Sequence, residues 1–357
     1  MDSMAPLVSI VVPSFNTAKF LPTLCQSIQA QTFGNFEVLI GDDGSTDETS
    51  RAVGPFLADK RFQYFRWEAN RGVNHATVML LSRARGQFWA YPGADDALQA
   101  DFLERRLALM QACPHVGMIH GPPLLIDEVG RPISSGVEHF PIVRTGLSDK
   151  RVSGAEIVRA NSALEILLQH NIVNTPSVMV RMEATRSIHV HLLTDWRYAQ
   201  DWSFWILHAA SGWDLAFDDR PVNQYRILSS SLSNDPLKAA LRRAEIRLVP
   251  LCALSQAAAY SHAAAQLWLR WRRNLYALWL RRACMLARTG SLKDNWLQLG
   301  AAAFYGRTCN RVSLAVEIAR HACSIVVSSA KESATRRQQA FAVSGLAQLD
   351  HPVFRRT

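Results

Sequence analysis

The chain has 357 residues, of which 48% are hydrophobic and 19% are charged, with a formal net charge of +9. This length exceeds one typical hydrophobic core and predicts two domains, while the composition excludes an intrinsically disordered chain. Residues 1–235 carry 20 basic and 25 acidic side chains, whereas residues 236–357 carry 19 and 5. The C-terminal part, at +14, is therefore expected to meet an anionic partner.

The beginning of the chain lacks the charged, apolar and small-residue order of a signal peptide, so we expect a cytoplasmic protein. The longest uncharged stretch, residues 248–269, is long enough to span a membrane. It is mostly alanine and contains Pro250, His262 and two glutamines, which argues against a span.

Strand-like and helix-like segments alternate over the first 125 residues, which predicts an α/β fold with a mainly parallel sheet. In chain order, the pattern predicts a strand at 9–13, a helix at 19–31, a strand at 37–40, a helix that starts with a capping box at Ser45 and Glu48, a strand at 62–67, a helix at 74–84 and a strand at 87–92. A turn at 130–132, a helix at 154–169 and a strand at 177–181 follow. Beyond a linker at 234–236 the pattern is helical throughout, so we predict an α/β domain over 1–235 and a basic, all-helical domain over 236–357.

Two acidic pairs, Asp42-Asp43 and Asp95-Asp96, follow predicted strands, where open α/β sheets bind ligands. Asp95 and Asp96 offer the oxygen ligands that a divalent cation prefers, although paired carboxylates also occur at helix N-termini. A carboxylate of the first pair can accept a hydrogen bond from a nucleobase imide, but an Asp-Gly-Ser sequence is also ordinary turn chemistry.

Five motifs occur in one order: Val-Ser-Ile-Val-Val-Pro-Ser-Phe-Asn at 8–16, a segment at 31–49 that contains Asp-Asp-Gly-Ser-Thr-Asp, Asn-Arg-Gly at 70–72, Ala-Arg-Gly-Gln-Phe at 84–88 and Ala-Asp-Asp-Ala-Leu at 94–98. Together they closely resemble the family 2 inverting glycosyltransferases of the GT-A fold. The resemblance covers about 225 residues and ends at Tyr225-Arg226 and at the Ser-Leu-Ser of 231–233.

The resemblance implies a role for each matching residue on the donor side. The donor is a nucleotide diphosphate sugar, with UDP favoured, and the cation is Mn2+ or Mg2+. Asp95 contacts the ribose or the metal, and Asp96 is the firmest metal ligand. The first acid of the family's motif falls at Gly93 or Ala94 here. The remaining donor residues are Pro13 and Phe15 in the nucleotide pocket, Asp43 reading the base, Asp42 orienting the turn, and Arg71 at the pyrophosphate.

Inverting transfer needs a general base for the acceptor hydroxyl. The family places an acid before an aromatic helix, and Asp201 in Gln-Asp-Trp-Ser-Phe-Trp is the corresponding residue. A helix N-cap is the alternative role for Asp201, and Asp195 is the fallback base. The family's Tyr-Arg-x-His reads Tyr-Arg-Ile-Leu at 225–228, so a histidine that could aid metal binding is missing. The Gln-x-x-Arg-Trp sequence of processive relatives is also absent, which implies one sugar per encounter.

The basic tail interleaves aromatic and cationic residues, which is typical of a helix at an anionic membrane surface and equally of a helical bundle with a tryptophan core. The residues are Trp268, Trp271 and Trp279 with Arg270, Arg272, Arg273, Arg281 and Arg282. It contains no nucleic-acid motif, and we expect no nucleic-acid partner. The acceptor implied by the family is a glycan or lipid-linked glycan at the inner face of the membrane. The alternative function is a catalytically silent nucleotide- or glycan-binding adaptor, against which the intact acidic residues argue.

Overall fold

The structure is a computed structural model that describes residues 5–135, 151–188, 196, 198–228 and 239–271. The chain divides into two units, Met1–Trp271 and Arg272–Thr357, and all described residues belong to the first. The strands are β1 Val8–Ser14, β2 Phe36–Asp42, β3 Phe62–Arg66, β4 Phe88–Ala90, β5 Ala97–Leu98, β6 Val116–His120, β7 Leu124–Ile126, β8 Pro132–Ser135, β9 Arg151–Val152, β10 Ala155–Val158, β11 Met179–Arg181, β12 Asp214–Phe217 and β13 Asn223–Arg226. The helices are α1 Leu21–Gln29, α2 Thr49–Val53, α3 Val73–Leu81, α4 Phe102–Ala112, α5 Ala160–Leu167, α6 Met182–Arg186, α7 Gln200–Ala210 and α8 Ala239–Ala257.

A nine-stranded sheet in the order β3-β2-β1-β4-β11-β6-β12-β10-β9 forms the centre of the unit. Strands β3, β2, β1 and β4 are all parallel, and β12 is parallel to β6. Strand β11 enters antiparallel between β4 and β6. The predicted α/β class with a GT-A arrangement is confirmed.

Helices cover both faces of this sheet, which explains why β1 and β2 are apolar on both sides. One face packs Ile10 and Val12 of β1 against Leu24 of α1 and Phe102 of α4. The other face, with Val11 of β1, lies against α3, α5, α7 and α8. The sheet therefore holds the carboxyl ends of β1, β2 and β4 in fixed positions at one edge.

A second, four-stranded sheet has the order β5-β13-β7-β8. Strand β13 is parallel to β7 and antiparallel to β5, which immediately follows the Asp95-Asp96 pair. This sheet brings residues 223–226 beside residues 97–98, and it therefore links the acidic pair to a segment about 130 residues later in the chain.

Two local predictions are wrong. The capping box does not form, because the hydroxyl of Ser45 accepts the backbone N–H of Asn16 and α2 begins only at Thr49. The segment predicted as a helix at 154–169 is divided, since residues 155–158 form β10 and α5 begins at Ala160. Strand β10 pairs with both β9 and β12, so sheet pairing overrides the local helical preference.

Helix α8 packs against α7 through Val249, Ala253 and Leu254, which belong to the same core as Trp205. No helix in the described part of the chain is both long and apolar enough to cross a membrane. The domain boundary at 235/236 stays a prediction. The linker at 234–236 and residues 272–357, with most of the predicted helical domain, lie outside the described residues.

Candidate active site

The predicted donor residues lie at one edge of the large sheet, because β1, β2 and β4 run parallel and their carboxyl ends point the same way. Ser14 at the end of β1 is in register with Asp42 at the end of β2. Phe15 follows β1 with 42% of its surface exposed, while Pro13 is half-buried. An exposed aromatic ring at a ligand-binding edge provides a surface on which a planar base can stack.

The carboxylate of Asp43 is buried and holds the Asn-Arg-Gly loop. It accepts the backbone N–H groups of Arg71 at 3.0 Å and of Gly72 at 2.6 Å. Gly44 lets this loop approach closely, since a Cβ there would lie 2.9 Å from backbone atoms of Ala69 and Asn70. Each carboxylate oxygen can accept more than one hydrogen bond, so Asp43 retains capacity for a ligand.

Asp42 is also fully buried, and its hydrogen bonds remain within the protein. Its carboxylate accepts the N–H of Ser45 at 2.8 Å and the hydroxyl of Tyr64. Burial and the hydrogen bond to Asp42 raise the pKa of Tyr64 to about 12. Asp42 thus maintains the turn that presents Asp43, whereas the side chain of Arg71 is exposed beside it.

Asp95 and Asp96 lie together in the turn between β4 and β5. A Cβ placed on Gly93 would lie 2.6 Å from Oδ2 of Asp96 and 3.0 Å from Oδ1 of Asp95, so glycine makes room for both carboxylates. Oδ1 of Asp96 accepts the backbone N–H of Arg226 at 2.9 Å, while the buried Oδ2 has no hydrogen-bond partner. Burial and the charge of Asp95 raise the pKa of Asp96 well above its usual range, and burial raises that of Asp95.

These features fit a divalent cation. Two carboxylates are the usual protein share of a Mg2+ or Mn2+ site whose other ligands are phosphate and water. A bound cation would give Oδ2 of Asp96 the positively charged partner that it lacks. The described residues contain no cluster of three or more His, Cys, Asp or Glu side chains suited to a metal, so this pair would need ligands from a substrate.

Arg226 supports the acidic pair, a role that the sequence motif did not reveal. Its guanidinium donates to the carbonyl of Asp95 at 2.7 Å and to the carbonyls of Asp127 and Glu128, each at 3.0 Å. It also lies over the ring of Phe20. The Tyr-Arg sequence was the available signal, but only the pairing of β13 with β5 shows what the arginine holds.

Asp201 lies in the first turn of α7, whose N-cap is Ala199, so Asp201 does not occupy the cap position. Its Oδ2 accepts the hydroxyl of Thr175 at 2.7 Å, and its Oδ1 accepts the N–H of Trp202 at 2.7 Å. Burial raises the pKa of Asp201, and these hydrogen bonds oppose the increase. A carboxylate with a raised pKa is a stronger proton acceptor once it is ionised.

Tyr225 connects Asp201 with the acidic pair. Burial, together with the charges of Asp96, Asp95 and Asp201, raises the pKa of this phenol to about 12. The charge of Asp201 thus acts on the same side chain as the acidic pair, although Asp201 lies more than 100 residues later in sequence. The fallback base Asp195 and the Ser-Leu-Ser of 231–233 lie outside the described residues.

A pocket opens beside Asp201, between α3, β4 and α7. Its walls include Val78, Leu81, Trp89 and Phe204. The sequence motifs gave no indication of this pocket, because its walls come from three separate elements.

A mixed α/β sheet of this order, with acidic pairs after its parallel strands, has the GT-A arrangement. Residues 9–135 match the model of "Glycosyl transferase family 2". Over these residues the chain is similar to the family 2 glycosyltransferases.

Curated relatives agree with this family. The chain is 26% identical over 241 residues to the putative teichuronic acid biosynthesis glycosyltransferase TuaG of Bacillus subtilis, covering 67% of this chain and 86% of TuaG. It is 33% identical over 102 residues to glycosyltransferase GlyG of Streptococcus pneumoniae, covering 28% of this chain and 34% of GlyG. The chain thus spans most of TuaG but about a third of GlyG.

The fold is similar to that of S. aureus TarS 1–349 in complex with UDP-GlcNAc. The TM-score is 0.53 at 18% identity, with 71% of this chain and 67% of the TarS chain covered. At 18% identity, this similarity shows a shared fold and nothing more.

Proposed function

We propose that this protein transfers a sugar from a nucleotide diphosphate donor to a hydroxyl of a glycan or lipid-linked glycan, with inversion and one sugar per encounter. The observation that carries the proposal is that Asp96 accepts the backbone N–H of Arg226, while the charges of Asp96, Asp95 and Asp201 all raise the pKa of the neighbouring Tyr225. With Asp95 and Asp96 as cation ligands and Asp201 as proton acceptor, one site would supply what transfer from a diphosphate requires. UDP is the favoured donor nucleotide, and the UDP-GlcNAc complex of TarS is in keeping with it.

The donor would lie along the edge formed by β1, β2 and β4. Phe15 stacks on the base beside Pro13, and Asp43 accepts the base imide. Arg71 approaches the pyrophosphate, and Asp96 with Asp95 would hold Mn2+ or Mg2+. When bound, the cation neutralises charge that develops on the leaving diphosphate.

Asp201 would act on the acceptor. Its carboxylate takes the proton of the acceptor hydroxyl while that oxygen bonds to the anomeric carbon. The bond from that carbon to the diphosphate oxygen breaks, and the nucleoside diphosphate leaves with the bonding electrons. Attack opposite the leaving group inverts the anomeric configuration.

The relatives suggest where this transfer occurs. TuaG is named for teichuronic acid biosynthesis, so assembly of a bacterial surface polysaccharide is the favoured role. The basic residues from 236 onward would hold the protein at the inner face of the membrane, near a lipid-linked acceptor. At the described end of that segment Leu269 is 48% exposed, whereas Trp268 and Trp271 pack against the core and Arg270 pairs with Glu165.

Substitution of Asp201 by Asn tests the proposal. Asparagine keeps the size and can still accept the hydrogen bond from Thr175, but it cannot take a proton. We expect normal donor binding, a melting temperature within a few degrees of the wild type, and a loss of transfer of about 100-fold or more. Nucleotide sugars are screened with Mn2+ for acceptor-dependent release of nucleotide.

Two outcomes would contradict parts of this proposal. Transfer that survives Asp201→Asn within a few-fold would make Asp201 structural, and Asp195 would then be the next residue to test. A wild-type protein that binds nucleotide sugars but never turns them over would instead be a binding adaptor.

A further inference from the structure

The pocket beside Asp201 is separate from the donor edge. Among the described residues, its lining contains Asp201 but not Phe15, Asp43, Asp95 or Asp96. A ligand in this pocket can therefore reach the proton acceptor without occupying the proposed nucleotide and cation sites. This separation is the relationship expected of an acceptor site.

The walls of the pocket are mostly aromatic and aliphatic. The rings of Trp89 and Phe204 meet edge to face with centroids 5.8 Å apart, and Val78 and Leu81 of α3 lie opposite α7. None of the described lining residues is Lys, Arg or His. An anionic group in this pocket would lose hydration and find no cation there, while the carboxylate of Asp201 would repel it.

Two polar atoms of α7 lack partners beside this pocket. Oε1 of Gln200 and Nε1 of Trp205 are buried without a hydrogen-bond partner, and both side chains line the pocket. Buried polar groups are nearly always satisfied in folded proteins, and leaving one unpartnered is unfavourable. One is an acceptor and the other a donor, so a ligand hydroxyl can satisfy either.

We propose that this pocket is the acceptor subsite and that it selects an uncharged sugar ring with an apolar face, of the deoxyhexose kind, over a uronic acid or a phosphorylated sugar. The apolar face lies on the aromatic wall, the reacting hydroxyl meets Asp201, and another hydroxyl meets Gln200 or Trp205. This inference rests on the proposed function, because Asp201 links the pocket to transfer.

Three methyl glycosides that differ only at C6 test this selectivity in the full-length protein: glucoside, 6-deoxyglucoside and glucuronide. The donor is the nucleotide sugar that the wild type turns over. We expect kcat/KM to be highest for the 6-deoxyglucoside and at least about tenfold lower for the glucuronide.

A cation introduced into the wall should reverse part of this selectivity. Val78→Lys places an ammonium group in the pocket, so the ratio of glucuronide to 6-deoxyglucoside kcat/KM should rise about tenfold or more. Met79→Lys on the same helix adds the same charge outside the lining and should leave the ratio unchanged. Melting temperatures show whether both variants fold.

A second variant tests the hydroxyl contact without adding charge. Trp205→Phe keeps an aromatic ring but removes the indole N–H together with the five-membered part of the indole, so we expect the acceptor KM to rise about three- to tenfold with an unchanged donor KM. Trp213→Phe removes an indole N–H away from the pocket and is the matched control.

Equal kcat/KM for the glucuronide and the 6-deoxyglucoside would overturn the pocket assignment. Pocket variants that change the donor KM and leave acceptor selectivity unchanged would also overturn it. In both cases the donor is still consumed, so the transferase proposal survives. A wild type that consumes no nucleotide sugar overturns both proposals.

Discussion

The hydroxyl of Thr175 donates a hydrogen bond of 2.7 Å to Oδ2 of Asp201. Thr175 begins a 3-10 turn that leads into β11, so its position is set by the central sheet rather than by α7. The bond therefore fixes the carboxylate orientation from outside its own helix. Burial raises the pKa of Asp201, and Thr175 is the largest influence lowering it.

Replacing Thr175 by Val should move the pH dependence of transfer. A general base works when ionised, so activity is present above its pKa and falls as the pH falls through it. Removal of a donor from Asp201 raises that pKa further, and the acid side of the kcat profile should shift to higher pH. Donor KM should not change.

Two variants separate this positioning role from a general loss of stability. Thr175→Ser keeps the hydroxyl and should restore the wild-type pH profile. Thr185→Val breaks the buried bond from Nε1 of Trp89, so it should lower the melting temperature without shifting the profile. An unchanged profile in Thr175→Val would show that Thr175 does not act through Asp201.

Asp96→Asn should remove most transfer activity without unfolding the protein. Asparagine can keep the acceptor for the N–H of Arg226, but it replaces the unpartnered Oδ2 by an amide and weakens cation binding. Because burial and Asp95 disfavour the charge on Asp96, its removal should not lower the melting temperature. Transfer is measured across a Mn2+ titration.

The control for this variant is Asp59→Asn, which neutralises a carboxylate paired with Arg61 far along the chain from the acidic pair. It should retain the wild-type Mn2+ dependence. Near-normal transfer by Asp96→Asn at every Mn2+ concentration would remove Asp96 from the cation site.

Asp43→Ala should weaken nucleotide binding more than it lowers the turnover rate of bound substrate, because the contact with the base is equally strong in the ground and transition states. The structure adds a second cause, because the N–H groups of Arg71 and Gly72 lose their acceptor and the loop is less restrained. Calorimetry with UDP measures the affinity. The control is Asp42→Asn, which disturbs the hydrogen bonds to Ser45 and Tyr64 and should instead lower the melting temperature. An unchanged UDP affinity in Asp43→Ala would exclude base recognition by Asp43.

The parallel half of the fold could be predicted from sequence because each strand there is a short apolar run followed by polar turn residues. The acidic pairs could be located for the same reason, since parallel strands end at one edge. Strand β10 could not be predicted from sequence, because its pairing with β9 and β12 depends on residues distant in the sequence. The role of Arg226 and the pocket beside Asp201 were missed because both are assembled from separate elements.

The basic tail should bind anionic vesicles at low salt. The excess positive charge from residue 236 onward and the interleaved tryptophans motivate this expectation. Sedimentation with phosphatidylglycerol vesicles should show binding that decreases with salt, as exposed charges are screened over about 10 Å at 0.1 M. Neutral vesicles are the control, and no sedimentation at low salt would favour a helical bundle.

The hydrogen bond from the backbone of Arg226 to Asp96 also bears on the order of events during protein synthesis. Asp96 emerges from the ribosome well before its partner, which lies 130 residues later. Until β13 has been synthesised and has paired with β5, the acidic pair lacks its backbone donor and the guanidinium that holds its loop. A nascent chain that already contains every proposed donor residue therefore still lacks the completed acidic pair until the first unit is nearly complete.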